Sequence, residues 1–257
     1  MKKKIFLAIL IVIALIALVC GWCWYSAKTS NPWNARTLGE IAAPRGYTRV
    51  EAPAGSYAEY LRALPLKARG AKVQLYTGGD AHYQFLSTGV IDKPILSNDE
   101  QCADVTMHLR ADYLWSHGRY CEICFTNVNG KKQHYTGGSS QKAFERYMRG
   151  VYGYSSTFSV YHETQVRSIK DVQPGDVLVY AARPGHKLGH AILVADVARS
   201  KSGKVAIMCV EGNTPAREMH IVRNPNPLRN PWFFLDEDDE TIFISCFRFN
   251  KDELRHY

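Results

Sequence analysis

The first thirty residues contain no aspartate or glutamate, yet they hold Lys2, Lys3, Lys4 and Lys28. That end therefore carries +4 of the +8 net charge, and the remaining 28 basic residues face 24 acidic ones. The body is only mildly basic and has no basic stripe, so nucleic acid is not expected as a partner. Internal repeats and low-complexity tracts are also missing. With 46% hydrophobic and 22% charged residues the chain is neither disordered nor collagen-like. Cys121-x-x-Cys124 has no second cysteine pair, which argues against a zinc site. A pair of strand-borne core thiols is the expectation there, and no metal or cofactor is expected. Asp236 to Glu240 (DEDDE) reads as a solvated turn rather than a calcium loop.

What is present begins with an apolar run. Lys2–Lys4 precede Ile5 to Cys20, extended by Gly21-Trp22-Cys23-Trp24-Tyr25. About 20 residues suffice to span a hydrocarbon core as a helix. Basic residues stay cytoplasmic, and Trp22, Trp24 and Tyr25 suit the opposite interface. Residues 1–27 are thus expected to be a membrane anchor, with the body outside the cytoplasm in the cell envelope. A cleaved signal, giving a secreted protein, and a lipoprotein signal ending at Cys20 are the alternatives. Five cysteines remain beyond the leader: Cys102, Cys121, Cys124, Cys209 and Cys246. An odd number leaves at least one thiol unpaired within the chain, and catalysis is one use for it.

Residues 28–46 read as a linker, and 47–257 as a single α+β domain. Ser56 to Leu66 has helical spacing of Tyr57, Tyr60, Leu61 and Leu64. Lys72 to Tyr76 and Tyr83 to Val90 alternate as strands around Gly78-Gly79-Asp80. Asp99 to Ser116 is the clearest helix, with Cys102, Val105, Leu109 and Tyr113 on one face and a start at Ser97, Asn98 or Asp99. A hairpin is expected around Asn129-Gly130, and a helix over Gln141 to Tyr152. Residues 177–180, 191–197, 205–210 and 241–247 are β-rich, so helices precede strands and the class is α+β. Asn224 to Trp232, with Pro225, Pro227 and Pro231, reads as a loop held by its aromatics, or one whose Trp232 and Phe233 wall a cleft. Asp104 and Asp112 are expected to face solvent or pair with Arg110.

Cys102 opens the strongest helix, and His190 heads an apolar strand after Gly189. An imidazole within reach can take a thiol's proton, and a helix N-terminus adds partial positive charge and free N–H donors for an oxyanion. A third group must orient the ring. If 190–198 and 204–211 form a hairpin turning at Arg199–Lys204, that group is Glu211 or Asn213. Glu211 is preferred, because it continues the alternating face of Ile207 and Cys209. The competing view is that Cys102 is a small core residue and His190 caps a buried strand.

A cysteine at a helix start, then Pro174-Gly175-Asp176-Val177-Leu178-Val179, then Gly189-His190-Ala191-Ile192-Leu193-Val194, resembles the NlpC and CHAP groups of papain-like cysteine hydrolases. The resemblance covers residues 97–116 and 171–213. It implies a papain-like core with an antiparallel sheet packed on the cysteine-bearing helix, and hydrolysis of peptide or amide bonds, commonly in bacterial cell wall. The 88-residue gap between Cys102 and His190 exceeds a minimal NlpC domain, and an insertion around 118–165 would account for it. Glu211 is also an unusual third residue for that group.

A second resemblance covers nearly the whole exported body. Tyr57–Arg62, Leu64–Lys67, Gln101–Asp104, Leu109–Leu114, Gly185–Ala198 and Asn230–Trp232 look like an uncharacterised family of exported Bacteroides-type bacterial proteins. In that family Gly-His directly follows Pro, which makes His186 a rival base. The expectation is a membrane-anchored cysteine-dependent hydrolase using Cys102, His190 and Glu211 on cell-wall peptides. The alternative is a non-catalytic envelope module that binds a glycan or peptide on the same fold.

Overall fold

The computed structural model describes residues 2–183 and 188–257. Helix α1 (Lys2–Lys28) contains Ile5–Trp22, mean hydropathy 3.1, long and apolar enough to cross a membrane by length and composition. The body follows as β1 (Tyr47–Arg49), α2 (Tyr57–Ala63), β2 (Ser87–Val90), α3 (Cys102–Ser116), β3 (Cys124–Thr126), β4 (Lys132–His134), α4 (Gln141–Tyr154) and α5 (Thr157–Glu163). The remaining strands are β5 (Gln165–Val166), β6 (Val177–Tyr180), β7 (His190–Ser200), β8 (Val205–Glu211), β9 (His220–Val222), β10 (Trp232–Leu235), β11 (Thr241–Ile244), β12 (Phe247–Asn250) and β13 (Leu254–His256).

Nine strands form one antiparallel sheet in the order β2-β9-β8-β7-β6-β13-β5, with β1 also on β7 and β10 also on β8. The centre is the β7–β8 hairpin, whose register pairs Leu193 with Val210 and Ala198 with Ala206. These two strands are apolar on both faces because both faces are covered. On one side lie α2 to α5, with Leu61, Val105, Leu109, Phe144 and Met148 in the core. On the other, the β11–β12 hairpin and the 169–172 turn cover Ile192, Val194, Ile207 and Cys209.

Asp196 interrupts the apolar run of β7 and is fully buried. It sits at a bulge following Val194. Its carboxylate accepts from Arg62 Nη2 at 2.8 Å and also from Arg49 Nε, tying α2 and β1 to the central strand. A buried carboxylate without such partners would be prohibitively costly.

Several expectations change. The 28–46 stretch is docked rather than free: Asn31, Ala35, Leu38 and Ile41 are buried, and Asn31 N donates to Thr88 O at 2.7 Å. Residues 72–76 do not form a strand with 83–90. They make isolated bridges, Gln74 to Asp80 and Leu75 to Arg217, while β2 pairs with β9. Helix α3 starts at Cys102, capped by Gln101, whose N–H donates to Asp104 Oδ2 at 2.9 Å. Its helical stripe also misleads, because 11 of its 15 residues are buried, polar ones included.

The β3–β4 hairpin turns at Asn129-Gly130 as expected, and Gly130 takes φ +76°. Its cysteines are not core residues: Cys121 is exposed, and Cys124 is half-buried with its Sγ 3.7 Å from His134 Nε2. Trp232 and Phe233 lie on β10 inside the core, Trp232 donating to Ala42 O at 2.9 Å, so neither walls a cleft. Asp236, Glu237 and Asp238 are exposed in the turn before β11.

Candidate active site

Cys102 is the first residue of α3 and is 8% exposed. The first turn of a helix has N–H groups with no intrahelical acceptor, and they point toward this end. His190 is the first residue of β7, paired with Tyr180 of β6. Glu211 is the last residue of β8, paired with His220 of β9. The hairpin therefore delivers imidazole and carboxylate to the same sheet end, against the N-terminus of α3.

Two glycines permit that approach. A Cβ on Gly189 would lie 2.1 Å from Thr157 Oγ1 and 2.5 Å from Tyr180 O. A Cβ on Gly212 would lie 2.6 Å from Val105 Cγ2. Neither position tolerates a side chain without displacing α5 or α3 from the sheet end.

Within this corner His190 Nε2 is 2.9 Å from Glu211 Oε2, and both groups are buried. The Cys102 thiol lies near enough to the same imidazole to favour its charged form, and Nδ1 is the ring nitrogen that Glu211 does not take. Phe247 stacks flat on the ring, with centroids 3.8 Å apart and planes at 13°. His220 Nε2 lies 3.4 Å from Glu211 Oε1, and its Nδ1 is 2.9 Å from Glu218 O.

The electrostatics follow from these contacts. Burial opposes a charge on His190, but the Cys102 and Glu211 hydrogen bonds and charges outweigh it and raise the imidazole to about 9. Burial likewise opposes a charge on Glu211, and His190 and His220 together hold that carboxyl down to about 2.

The sulfur opens on a cleft of about 270 Å³ walled by Gln101, Asp104, Tyr152, Thr157, Gly189 and Thr214. Gln101 Oε1 accepts from Thr214 Oγ1 at 2.8 Å, steadying the cap beside the sulfur. Asp104 is buried in this wall rather than facing solvent; burial first, with Glu100 and Asp99 nearby, pushes its carboxyl up to about 8. Asp112 pairs with Lys93 at 2.6 Å and with Tyr60, not with Arg110.

The structure thus brings Cys102, His190 and Glu211 together. Asn213 does not reach the ring; its Oδ1 accepts from the next backbone N–H, Thr214 N, at 2.8 Å. His186 lies outside the described residues. Phe247, His220 and Thr157 were not singled out in the sequence. Gly189, directly before His190, is the one local signal that points to their neighbourhood. Among the described residues no group of three or more His, Cys, Asp or Glu side chains could hold a metal ion.

One family model, described as "Domain of unknown function (4846)", matches residues 38–137 and 136–256. The chain belongs to this family. No curated protein and no solved structure matches. The DUF4846 match takes in both the helix bearing Cys102 and the strands bearing His190 and Glu211.

Proposed function

We propose that this DUF4846 protein is an exported cysteine-dependent amide or peptide hydrolase with a papain-like core, held at the cell envelope by α1 and acting on cell-wall peptides. The observation that carries the reading is the Cys102 thiol at a helix N-terminus beside His190, which is hydrogen-bonded to the buried Glu211, with the sulfur lining an open cleft. Few structural roles require a buried imidazole between a thiol and a carboxylate, and perturbed titration in a cleft marks functional groups.

In this mechanism His190 takes the Cys102 proton, and the sulfur attacks the scissile carbonyl carbon. The carbonyl oxygen gains the negative charge, and the free N–H groups at the start of α3 are placed to stabilise it. His190 then gives its proton to the leaving amine as the C–N bond breaks, leaving a thioester on Cys102. Water, deprotonated by His190, attacks that thioester and releases the acid and the thiol. Glu211 keeps the ring oriented and compensates its charge through both half-reactions. Phe247 backs the ring and shields it from water.

The test is incubation of the detergent-solubilised full chain with soluble cell-wall peptides, reading new amines by mass spectrometry. Wild type should release them, and Cys102→Ala and His190→Ala should not, while both variants still melt cooperatively, His190→Ala at a lower midpoint because Glu211 loses its buried partner. Equal release by Cys102→Ala and wild type, or binding without release by any form, assigns the protein to the non-catalytic binding class instead.

A further inference from the structure

A second cavity lies away from the cysteine cleft and shares none of its lining residues. It measures about 560 Å³ and is walled by Tyr57, Arg110, Gly175, Arg199, His256 and Tyr257, among others. The Cys102 cleft sits at the N-terminus of α3, whereas Arg110 is eight residues further along that helix, about 12 Å by the helical rise. The volume falls within the range of roughly 300–1,000 Å³ typical of small-molecule sites.

Its chemistry is one-sided. Neither Arg110 nor Arg199 makes a direct ion pair among the described residues: Arg110 lies 4.7 Å over the Tyr257 ring and acts on an acid only through its charge on the exposed Glu122, and Arg199 Nη2 donates to Val172 O at 2.7 Å. Arg199 Nη1 and the Tyr57 hydroxyl are buried donors without any acceptor, an arrangement that usually indicates a missing partner. Glu51, exposed, is the one acidic side chain in the wall. His256 is already engaged, its Nδ1 2.6 Å from Asp176 Oδ1. The tyrosines supply flat apolar surface: Tyr57 stacks on Tyr113 with centroids 4.9 Å apart. Burial pushes the Tyr57 phenol up, so it stays an O–H donor across the physiological range.

We propose that this cavity binds a small ligand carrying an oxyanion, a carboxylate or a phosphate monoester, on an apolar or aromatic body. Arg110 and Arg199 hold the oxyanion through charge-assisted hydrogen bonds, the Tyr57 hydroxyl adds a donor after a small rotation, and the Tyr57 and Tyr257 rings flank the body. The site is independent of the cysteine chemistry.

The experiment titrates benzoate, phenyl phosphate and the neutral control benzyl alcohol into the detergent-solubilised full chain, read by calorimetry. At least one anion should bind saturably, with benzyl alcohol about tenfold weaker or worse, a gap of about 1.4 kcal/mol. Which anion binds tighter separates the carboxylate from the phosphate. Arg110→Gln and Arg199→Gln should each weaken the anion about tenfold, Arg110→Lys should recover part of it, and Cys102→Ala should bind as wild type. Melting curves confirm that each variant is folded. If neither anion saturates, if benzyl alcohol binds equally, or if folded glutamine variants bind as wild type, the proposal is overturned. Should Arg199→Gln fail to fold, Arg110→Gln against Arg110→Lys decides alone.

Discussion

Replacing Glu211 with glutamine probes the buried pair by its pH dependence. His190 titrates at about 9 in the folded chain against an ordinary value of 6.5. Its contribution to stability is therefore full below 6.5 and is lost as pH rises through about 9. Glu211 titrates at about 2 against 4.5, so its contribution is full above 4.5 and is lost as pH falls through about 2. Both contributions are complete between 4.5 and 6.5. In that window Glu211→Gln leaves a buried imidazolium without its carboxylate. Breaking a buried pair costs about 3–5 kcal/mol, and the retained amide hydrogen bond places this variant near about 3. For a body of this size each kcal/mol moves the midpoint by about 2–4 °C, so the loss is about 6–12 °C. Above the His190 value the ring is neutral in both proteins, and the difference should shrink to that of one hydrogen bond, about 1 kcal/mol. The assay is circular-dichroism melting of both proteins inside the window and above it. A midpoint difference that stays constant across both conditions would refute the charged-pair account and leave Glu211 a neutral packing group.

Other outcomes follow from the same structure. Asp196→Ala should cost about 3–5 kcal/mol in chemical denaturation, because Arg49 and Arg62 are left without their buried carboxylate; a loss under about 1 kcal/mol would show that the arginines relax to solvent. Gly189→Ala forces a methyl against Tyr180 O and Thr157 Oγ1, so a stability loss of about 1–3 kcal/mol should accompany loss of peptide release; wild-type values for both would mean that α5 yields freely. Protease added to spheroplasts should digest the body while α1 stays with the membrane, and a body protected until lysis would reverse the topology.

Much of this fold was legible because the relevant signals are local. Helix α2 lies within the expected 56–66 span, with Ser56 accepting from Glu59 N at 3.2 Å, and α4 covers the expected 141–152 span with Phe144, Met148 and Val151 buried. The β7–β8 hairpin was legible from two apolar runs around the Lys201-Ser202-Gly203 turn, and with it the meeting of His190 and Glu211. What sequence did not disclose depends on tertiary partners. Residues 72–76 alternate like a strand but find their neighbours at Asp80 and Arg217. The 28–46 segment is rich in turn formers, yet Leu38 and Ile41 find an apolar surface to bury against. Asp104 reads as an exposed helix residue until α4 closes Tyr152 over the same wall. Phe247 comes from a hairpin far along the chain, so its contact with the His190 ring has no local trace. The oxyanion cavity is likewise assembled from α2, α3, β7 and residues 256–257.

The central claim is that His190 activates Cys102, and competitive alkylation tests it most directly. Exposure alone ranks the thiols plainly: Cys121 and Cys246 are exposed, while Cys102 is 8% exposed. The full chain is treated with limiting iodoacetamide near neutral pH, and the modified peptides are counted by mass spectrometry. The account predicts that Cys102 is labelled ahead of Cys121 and Cys246 despite its burial, and that His190→Ala, still folded, drops it behind both. Labelling that follows exposure in the wild type, with no change on His190→Ala, would contradict the account and make Cys102 a core residue.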